Sequence, residues 1–229
     1  MKPELPIESF ELFATGIDHP ECLAFDRNGD LWAGGEAGQI YRISPQGTVQ
    51  RVATMGGFCG GLAFSPSAEL FVCNPSLGIV RVNPSGEFSV FASSAGGHRL
   101  ICPNYGLFDS AGNYYVTDSV FRFEIKAGGS VGPPDRYAAE CGRFPDGLTL
   151  DAGGNLYVCC YASDEIWRIS PAGDKTLFAW DRWAILLGSP TNMAFGGKDL
   201  DQLYVANLAR TTITRAAVGR KGQPLANQK

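Results

Sequence analysis

The sequence predicts an all-β fold of the β-propeller class, formed by a single domain over residues 1–229. One pattern of a turn, an apolar triplet, a Gly-containing turn and two further apolar runs occurs five times. Residues in equivalent positions of successive copies are 39, 44, 42 and 45 apart, and a period of about 40–50 residues made of strands and turns is typical of propeller blades. The copies are His19–Gly47, Cys59–Gly86, Pro103–Gly129, Pro145–Gly173 and Pro190–Gly222. We therefore expect five four-stranded blades.

Each copy contains the strands of one blade in the same order. The apolar triplets are predicted to form the innermost strands, and they are Leu23–Phe25, Leu62–Phe64, Leu107–Phe108, Leu148–Leu150 and Met193–Phe195. The second strands carry aromatic residues in equivalent places, which we expect to pack between neighbouring blades: Trp32, Tyr115, Tyr157 and Tyr204. No long stretch has helical periodicity, and residues 180–187 are compatible with either a short helix or a loop.

The N-terminal segment is predicted to close the ring of blades. Residues 9–15 (SFELFAT) alternate apolar and polar side chains, as a strand does. The fifth copy is short after Gly222 and leaves room for one more strand. We expect Phe10–Thr15 to pair with Thr211–Ala216, which would pair the free strand edges at the seam.

Composition and charge exclude several classes of function. The net charge of −4 argues against nucleic acid, because phosphate binding requires a concentrated surface of Lys and Arg. No apolar run is long enough to span a bilayer, and the N-terminus lacks the features of a signal peptide. The 7 cysteines show no spacing typical of metal sites, and we expect buried free thiols rather than disulfides. These features together favour a cytoplasmic protein.

The positions directly before the predicted innermost strands are mostly occupied by polar residues. They are Glu21, Gly60, Asn104, Asp146 and Thr191, and Asn192 follows the last of these. In a propeller this position faces the mouth of the central channel, so the side chains should converge near the axis. Carboxylate and amide oxygens suit a hard cation, Ca²⁺ foremost, with Mg²⁺, Mn²⁺ or Zn²⁺ as alternatives. These residues could also be simple turn formers, but a purely structural turn should repeat one residue type.

Four segments resemble the senescence marker protein / gluconolactonase / regucalcin-like family of metal-dependent lactonase propellers. They are HPECLAFDRNGDLW, PNYGLFDSAGNYYVTDS, PDGLTLDAGGNLYV and PTNMAFGGKDLDQLYVANL. The resemblance implies that Glu21 and Asp146 bind a divalent cation and that Asn104 lies near the metal or the substrate. It also implies hydrolysis of a lactone or a related small ester. Asp146 would then act as the base that activates water, and Glu21 would serve as a pure metal ligand.

The sequence departs from the family in one respect. The family usually has six blades, and the Pro-Asn-Gly motif that supplies a further metal ligand is missing here, as if one blade had been removed near Ser119 and Val120. Asn104 or Asn192 could replace the missing ligand. The alternative is a non-catalytic propeller that binds a metal or a small ligand and derives from such an enzyme by loss of a blade. A condensing propeller similar to strictosidine synthase is a third possibility.

Three further residues are candidates for binding a small-molecule substrate. His19 lies two positions before Glu21, and an extended chain would place both side chains on the same side. Arg99 precedes the third copy and could meet an acidic substrate, and Tyr105 could line the pocket. Each of them could equally be an ordinary surface or packing residue. The sequence contains no G-x-S-x-G motif, which argues against a serine hydrolase, and it does not predict an oligomeric state.

Overall fold

The computed structural model of the chain describes residues 3–95, 98–100, 103–108, 114–117 and 144–224. Those residues form four antiparallel four-stranded sheets and two sheets of two strands. The four larger sheets are blades in which sequence order matches spatial order, except at the seam. The protein is therefore an all-β propeller with four-stranded blades, as the sequence predicts.

The first two blades follow the first two sequence repeats. The first contains β2 (Cys22–Phe25), β3 (Leu31–Gly34), β4 (Gln39–Ile43) and β5 (Val49–Thr54). The second contains β6 (Gly61–Phe64), β7 (Leu70–Asn74), β8 (Gly78–Val82) and β9 (Phe88–Ala92). The innermost strand of each is buried along its whole length, because it packs between the neighbouring sheets.

The two C-terminal repeats form the other two complete blades. One contains β14 (Pro145–Leu150), β15 (Leu156–Cys160), β16 (Glu165–Ile169) and β17 (Lys175–Trp180). The last contains β18 (Pro190–Gly196), β19 (Gln202–Asn207), β20 (Thr212–Ala217) and the N-terminal strand β1 (Glu11–Thr15). A single turn of 3₁₀ helix, Ile7–Ser9, precedes β1.

The prediction of five four-stranded blades is not met in the described residues. The third repeat contributes β12 (Tyr105–Phe108) and β13 (Tyr114–Thr117), which form a two-stranded sheet. Its predicted third and fourth strands fall within residues 118–143, outside the described part of the chain. The sequence of this repeat departs from the others at that point, since its middle loop is shortened. Just before it, β10 (Ser94–Ala95) pairs with β11 (His98–Arg99).

The inner strands lie side by side around one axis. Strand β14 packs against β18, β18 against β2, β2 against β6, and β6 against β12. The strands within each sheet are antiparallel, so the start of each inner strand and the end of each second strand lie at the same end of the propeller. We call this end the site end.

The predicted closure by the N-terminal strand is confirmed. Strand β1 pairs antiparallel with β20, with Glu11 opposite Arg215 and Thr15 opposite Thr212. The preceding residues continue onto the neighbouring blade, because the Glu4 and Leu5 amides donate to the carbonyls of Leu177 and Phe178. The N-terminal segment therefore joins the last two blades as well as completing one of them.

Aromatic contacts between neighbouring blades follow one rule. A second-strand aromatic ring packs edge-on against a phenylalanine at the end of the next inner strand. The pairs are Trp32–Phe64, Phe71–Phe108, Tyr157–Phe195 and Tyr204–Phe25, with ring centroids 5.0–5.7 Å apart. The predicted interface positions of Trp32, Tyr157 and Tyr204 are confirmed, and the Tyr115 side chain lies outside the described part of the structure. The last pair joins the final blade to the first.

Two remaining expectations concern the thiols and the segment at 180–187. Five described cysteines are buried and belong to no disulfide bond: Cys22, Cys59, Cys73, Cys159 and Cys160. Cys159 and Cys160 belong to different core clusters on opposite faces of β15, as strand alternation predicts.

Residues 181–189 form a loop with turns rather than a helix. In the described part of the chain, no helix has the length and apolar character needed to cross a membrane.

Candidate functional site

The polar residues near the start of the inner strands meet at the site end. Two of these strands, β14 and β18, are irregular there. Strand β14 changes register between Pro145 and Leu148, and β18 does so between Pro190 and Asn192. Such bulges redirect side chains and are common beside functional sites. Asp146 and Thr191 were expected directly before the strands, but they lie within them, in these bulged segments. The bulges therefore present Asp146, Thr191 and Asn192 at the mouth of the channel.

Glu21 is a buried acidic residue at the start of β2. Its side chain is 5% exposed, and Oε2 has no hydrogen-bond partner among the described residues. Burial raises the pKa of Glu21 to about 8, and the nearby Asp146 carboxylate raises it further, while a hydrogen bond from the Thr191 hydroxyl opposes the rise. The backbone amide of Glu21 donates to the Gly34 carbonyl over 3.0 Å. The backbone of Glu21 is thus fixed in the sheet, and one oxygen of its carboxyl group is still able to accept a hydrogen bond.

Asp146 and Asn104 form a second part of the site, from the fourth and third repeats. Burial raises the pKa of Asp146 to about 6, and a hydrogen bond from the Asn104 side chain opposes that rise. Asn104 lies against Gly60, where a Cβ would come within 2.7 Å of the amide oxygen Oδ1. Glycine at position 60 therefore leaves room for the Asn104 amide beside Asp146.

Asn192 is buried next to this pair. It is 2% exposed, and its Oδ1 has no hydrogen-bond partner in the described structure. A Cβ at Gly147 would come within 2.6 Å of the Asn192 Cα and would also collide with the Thr191 carbonyl. Gly147 therefore allows β18 to approach β14 closely at the Asp146 bulge.

The structure thus brings together Glu21, Asn104, Asp146 and Asn192, which we call the axial cluster. Contacts connect its members in turn: Asn104 binds Asp146, Asn192 lies against Gly147, and the Thr191 hydroxyl reaches Glu21. Two acidic groups and two amide side chains suit a hard divalent cation, since the orphaned oxygens of Glu21 and Asn192 are buried acceptors without donors, which are costly. The described residues contain no metal-type group of three or more His, Cys, Asp or Glu side chains. Amide oxygens are therefore needed to complete this donor set.

The three candidate substrate residues lie in different surroundings. His19 has a positive φ of 36°, and its Nδ1 lies 2.8 Å from the Asp18 carboxylate. The histidine ring is thus bound to Asp18 on the surface rather than to Glu21, contrary to the extended geometry expected from the sequence. Arg99 lies in β11, and its side chain is outside the described part of the structure.

Tyr105 lies at the start of β12, and its side chain reaches the neighbouring strand β14. Its hydroxyl donates to the Leu148 carbonyl over 3.4 Å. Burial raises the pKa of Tyr105 to about 12, and interactions with Cys22, Cys73 and Cys159, which come from three different second or inner strands, act in the same direction. The phenol therefore lies close to strands of several blades, among them β14, which carries Asp146.

Several residues of the site were not singled out from the sequence. Gly147 was read only as part of the PDG motif, although it sets the distance between two bulged strands. Burial raises the pKa of the Cys159 thiol, and Asp146 and Glu21 add to the rise. Cys22 behaves in the same way beside Glu21. The sequence predicts that these thiols are buried, but it does not predict their closeness to the carboxyl groups.

Taken together, the sheets and the axial cluster define a β-propeller with an oxygen-rich site at one end of its axis. Comparison with known proteins confirms the resemblance to the SMP-30/gluconolactonase family that was noted from the sequence. Residues 117–209 match the family described as SMP-30/Gluconolactonase/LRE-like region. Residues 8–43 match a second description, Strictosidine synthase-like, N-terminal.

Individual relatives agree with both descriptions. Regucalcin of Danio rerio is 31% identical over 122 residues, which are 50% of this chain and 38% of that protein. Protein STRICTOSIDINE SYNTHASE-LIKE 8 of Arabidopsis thaliana is 26% identical over 218 residues, covering 77% of this chain and 57% of the relative. The chain thus spans less than two thirds of the length of the curated relatives it matches.

A solved structure shows the same fold over nearly the whole chain. A gluconolactonase from Xanthomonas campestris superimposes with a TM-score of 0.75 at 14% identity, covering 91% of this chain and 89% of that one. At this identity the similarity establishes the propeller fold alone.

Proposed function

We propose that the protein hydrolyses a lactone or a related small ester at the axial cluster, with a divalent cation, Ca²⁺ foremost, held by Glu21, Asn104, Asp146 and Asn192. The observation that carries the proposal is the meeting of the Glu21 and Asp146 carboxyl groups with the Asn104 and Asn192 amides at the site end, where Glu21 Oε2 and Asn192 Oδ1 have no hydrogen-bond partner among the described residues. The relation to a family named for gluconolactonase supports the reaction class. A cation bound there would polarise the substrate carbonyl and stabilise the developing oxyanion.

In this proposal the residues of the chain perform the proton transfers. With a pKa of about 6, Asp146 is largely ionised near neutral pH and can accept a proton from water. The water oxygen bonds to the lactone carbonyl carbon, the ring C–O bond breaks, and the leaving oxygen receives the proton from Asp146. Asn104 orients the Asp146 carboxylate by its hydrogen bond, and Glu21 remains a ligand. The thiols and Tyr105 close to the cluster would exclude water from it.

The test compares the wild type with Asp146→Asn and Glu21→Gln on δ-gluconolactone and γ-butyrolactone, each with calcium and with chelator. We expect the wild type to hydrolyse at least one lactone, chelator to abolish turnover, and each variant to lose about 100-fold or more in kcat, as general-base catalysis contributes. Arg81→Gln, on the opposite side of the second blade, serves as a control that should keep full activity. Metal-independent turnover would contradict the proposed site.

Calcium binding without hydrolysis of any lactone would instead favour the non-catalytic propeller. Calcium should raise the melting temperature of the wild type, because a ligand that binds the folded state stabilises it. This thermal shift should disappear in Glu21→Gln. A shift that persists in this variant would exclude the axial cluster as the binding site under either function.

A further inference from the structure

An exposed aromatic pair stands two residues from Asp146. The Phe144 side chain is 61% exposed, and its ring stacks on Tyr161 with centroids 5.6 Å apart and an interplanar angle of 29°. The Tyr161 amide donates to the Phe144 carbonyl over 3.3 Å, which fixes the two residues to each other. A hydrophobic ring gains little from such exposure, so packing within the fold does not explain the pair.

The backbone of Phe144 is also in an unfavourable conformation. Its φ is +55°, in the left-handed region that bulky residues rarely adopt. Strain of this kind costs of order 1–3 kcal/mol and is concentrated at functional sites. Glycine would occupy this position without cost. A phenylalanine held there, mostly in solvent, indicates that its ring serves something other than stability.

The topology places the pair beside the axial cluster. Tyr161 follows the end of β15, and Phe144 precedes the start of β14, so both lie at the site end. Pro145 is opposite Cys160 in the sheet, and it alone separates Phe144 from Asp146. A substrate whose carbonyl lies at Asp146 would therefore extend over these rings.

The loop next to the pair adds further apolar surface. Trp183 is 73% exposed and Ile185 is 64% exposed in the loop that joins β17 to β18. The loop is held firmly: Asp181 accepts from the amides of Trp183, Leu186 and Leu187, and the Asp181 amide donates to the Asp164 carbonyl. Because residue 164 belongs to the same turn as Tyr161, the two apolar surfaces lie on connected segments.

We infer that the Phe144–Tyr161 pair is a subsite for an apolar substituent, an alkyl or aryl group, attached to the lactone ring. This inference rests on the proposed function and narrows its substrate class to lactones with a hydrophobic side chain rather than polyhydroxylated sugar lactones. The two rings offer a flat apolar surface, and each methylene buried against it strengthens binding because its apolar area leaves water.

The experiment measures kcat/KM of the calcium-loaded protein on γ-nonalactone and on γ-butyrolactone, which differ only by a pentyl chain. We expect the wild type to prefer γ-nonalactone by about 10-fold or more, the size of effect that apolar pockets give. Phe144→Gly and Tyr161→Ala should each reduce this preference several-fold. Phe88→Ala, which removes an exposed ring from the outer strand of the second blade, is the matched control and should leave the preference unchanged.

A stability measurement separates a binding role from a structural one. Phe144→Gly removes strain and little buried surface, so its melting temperature should equal or exceed that of the wild type, while the preference for the pentyl chain falls. A clear loss of thermal stability, or an unchanged preference in both variants, would overturn the inference.

If the wild type hydrolyses neither lactone, the proposed reaction fails but the subsite is still tested by binding. Isothermal titration would then compare the open-chain hydroxy acids of the two lactones. Tighter binding of the pentyl-bearing acid, lost in Phe144→Gly, would retain the subsite. Equal binding of the two acids would exclude it.

Discussion

The buried carboxyl group of Glu21 couples stability to pH. Its pKa is raised from 4.5 to about 8 by burial and by Asp146. The pKa of Asp146 is raised from 3.8 to about 6, chiefly by burial. At a pH between the ordinary and the raised pKa of each group, the folded state holds a proton that the unfolded state has released. Rising pH therefore favours unfolding. The axial cluster is therefore least stable at the pH values at which both carboxyl groups must be charged to hold a cation.

We predict that the metal-free protein loses stability as pH rises from about 5 to about 8, the window set by these two carboxyl groups. Urea unfolding midpoints, measured in chelator across this range, should fall steadily. Calcium should remove the decline, because a bound cation stabilises both carboxylates. The decline should be smaller in Glu21→Gln, and Glu87→Gln, at an exposed position directly before the outer strand of the second blade, should behave like the wild type. A midpoint independent of pH in the wild type would contradict the buried placement.

Single residues also mark the limit of sequence reasoning at the site. The common location of Glu21 and Asp146 at the site end could be predicted because the repeat places them at equivalent positions around the start of inner strands. The location of His19 could not, because strand alternation assumes an extended backbone, and its φ of 36° turns the ring to Asp18 instead. The role of Gly147 was equally hidden, since it depends on the closeness of Thr191 and Asn192 in a neighbouring blade.

At the scale of the strand, the contact between one second strand and the next inner strand is the repeated unit of the core. Tyr157 is fully buried, and its ring contacts Phe178 in its own blade and Phe195 in the next. Its hydroxyl donates to Asp151 over 3.1 Å, and Asp151 also accepts from the amides of Gly153 and Asn155. The aromatic ring thus joins two blades while its polar tip fixes a turn.

Tyr157→Ala should therefore destabilise the protein by about 3 kcal/mol or more, as large aromatic truncations in cores do. Trp183→Ala removes a larger ring that is mostly exposed, and it should change stability by less than about 0.5 kcal/mol. Chemical denaturation at fixed calcium concentration would measure both. A loss below about 1 kcal/mol for Tyr157→Ala would show that the blades do not depend on this contact.

The alternation of strand side chains predicted that Trp32, Tyr157 and Tyr204 face a neighbouring blade. It did not predict Phe71, which occupies the equivalent contact with Phe108. A period of two separates the faces of a strand but does not say which blade each face meets. The bulges in β14 and β18 were also beyond the pattern, because a bulge changes register without changing residue type.

At the scale of the whole molecule, the repeat was enough to predict the propeller and its closure. The number of complete blades could not be predicted from the repeat, because the third repeat contributes only two strands among the described residues. Closure could be predicted because SFELFAT alternates like the outer strands of the other copies. The attachment of residues 4–5 to β17 could not be predicted. Glu4 pairs with Arg168 and Arg220, and these contacts are not repeated in the other copies of the sequence pattern.

The closing strand leads to the last prediction. Without β1, the edge of β20 would present unpaired backbone groups, which are prone to associate with other chains. Removing residues 1–15 should therefore lower the unfolding midpoint and produce concentration-dependent oligomers in light scattering. A synthetic peptide covering residues 8–16 should restore both properties by adding the missing strand. Removal of residues 1–3 leaves the contacts of Glu4 and β1 in place and should have no effect. A truncated chain that stays monomeric with an unchanged midpoint would show that the propeller does not need this strand.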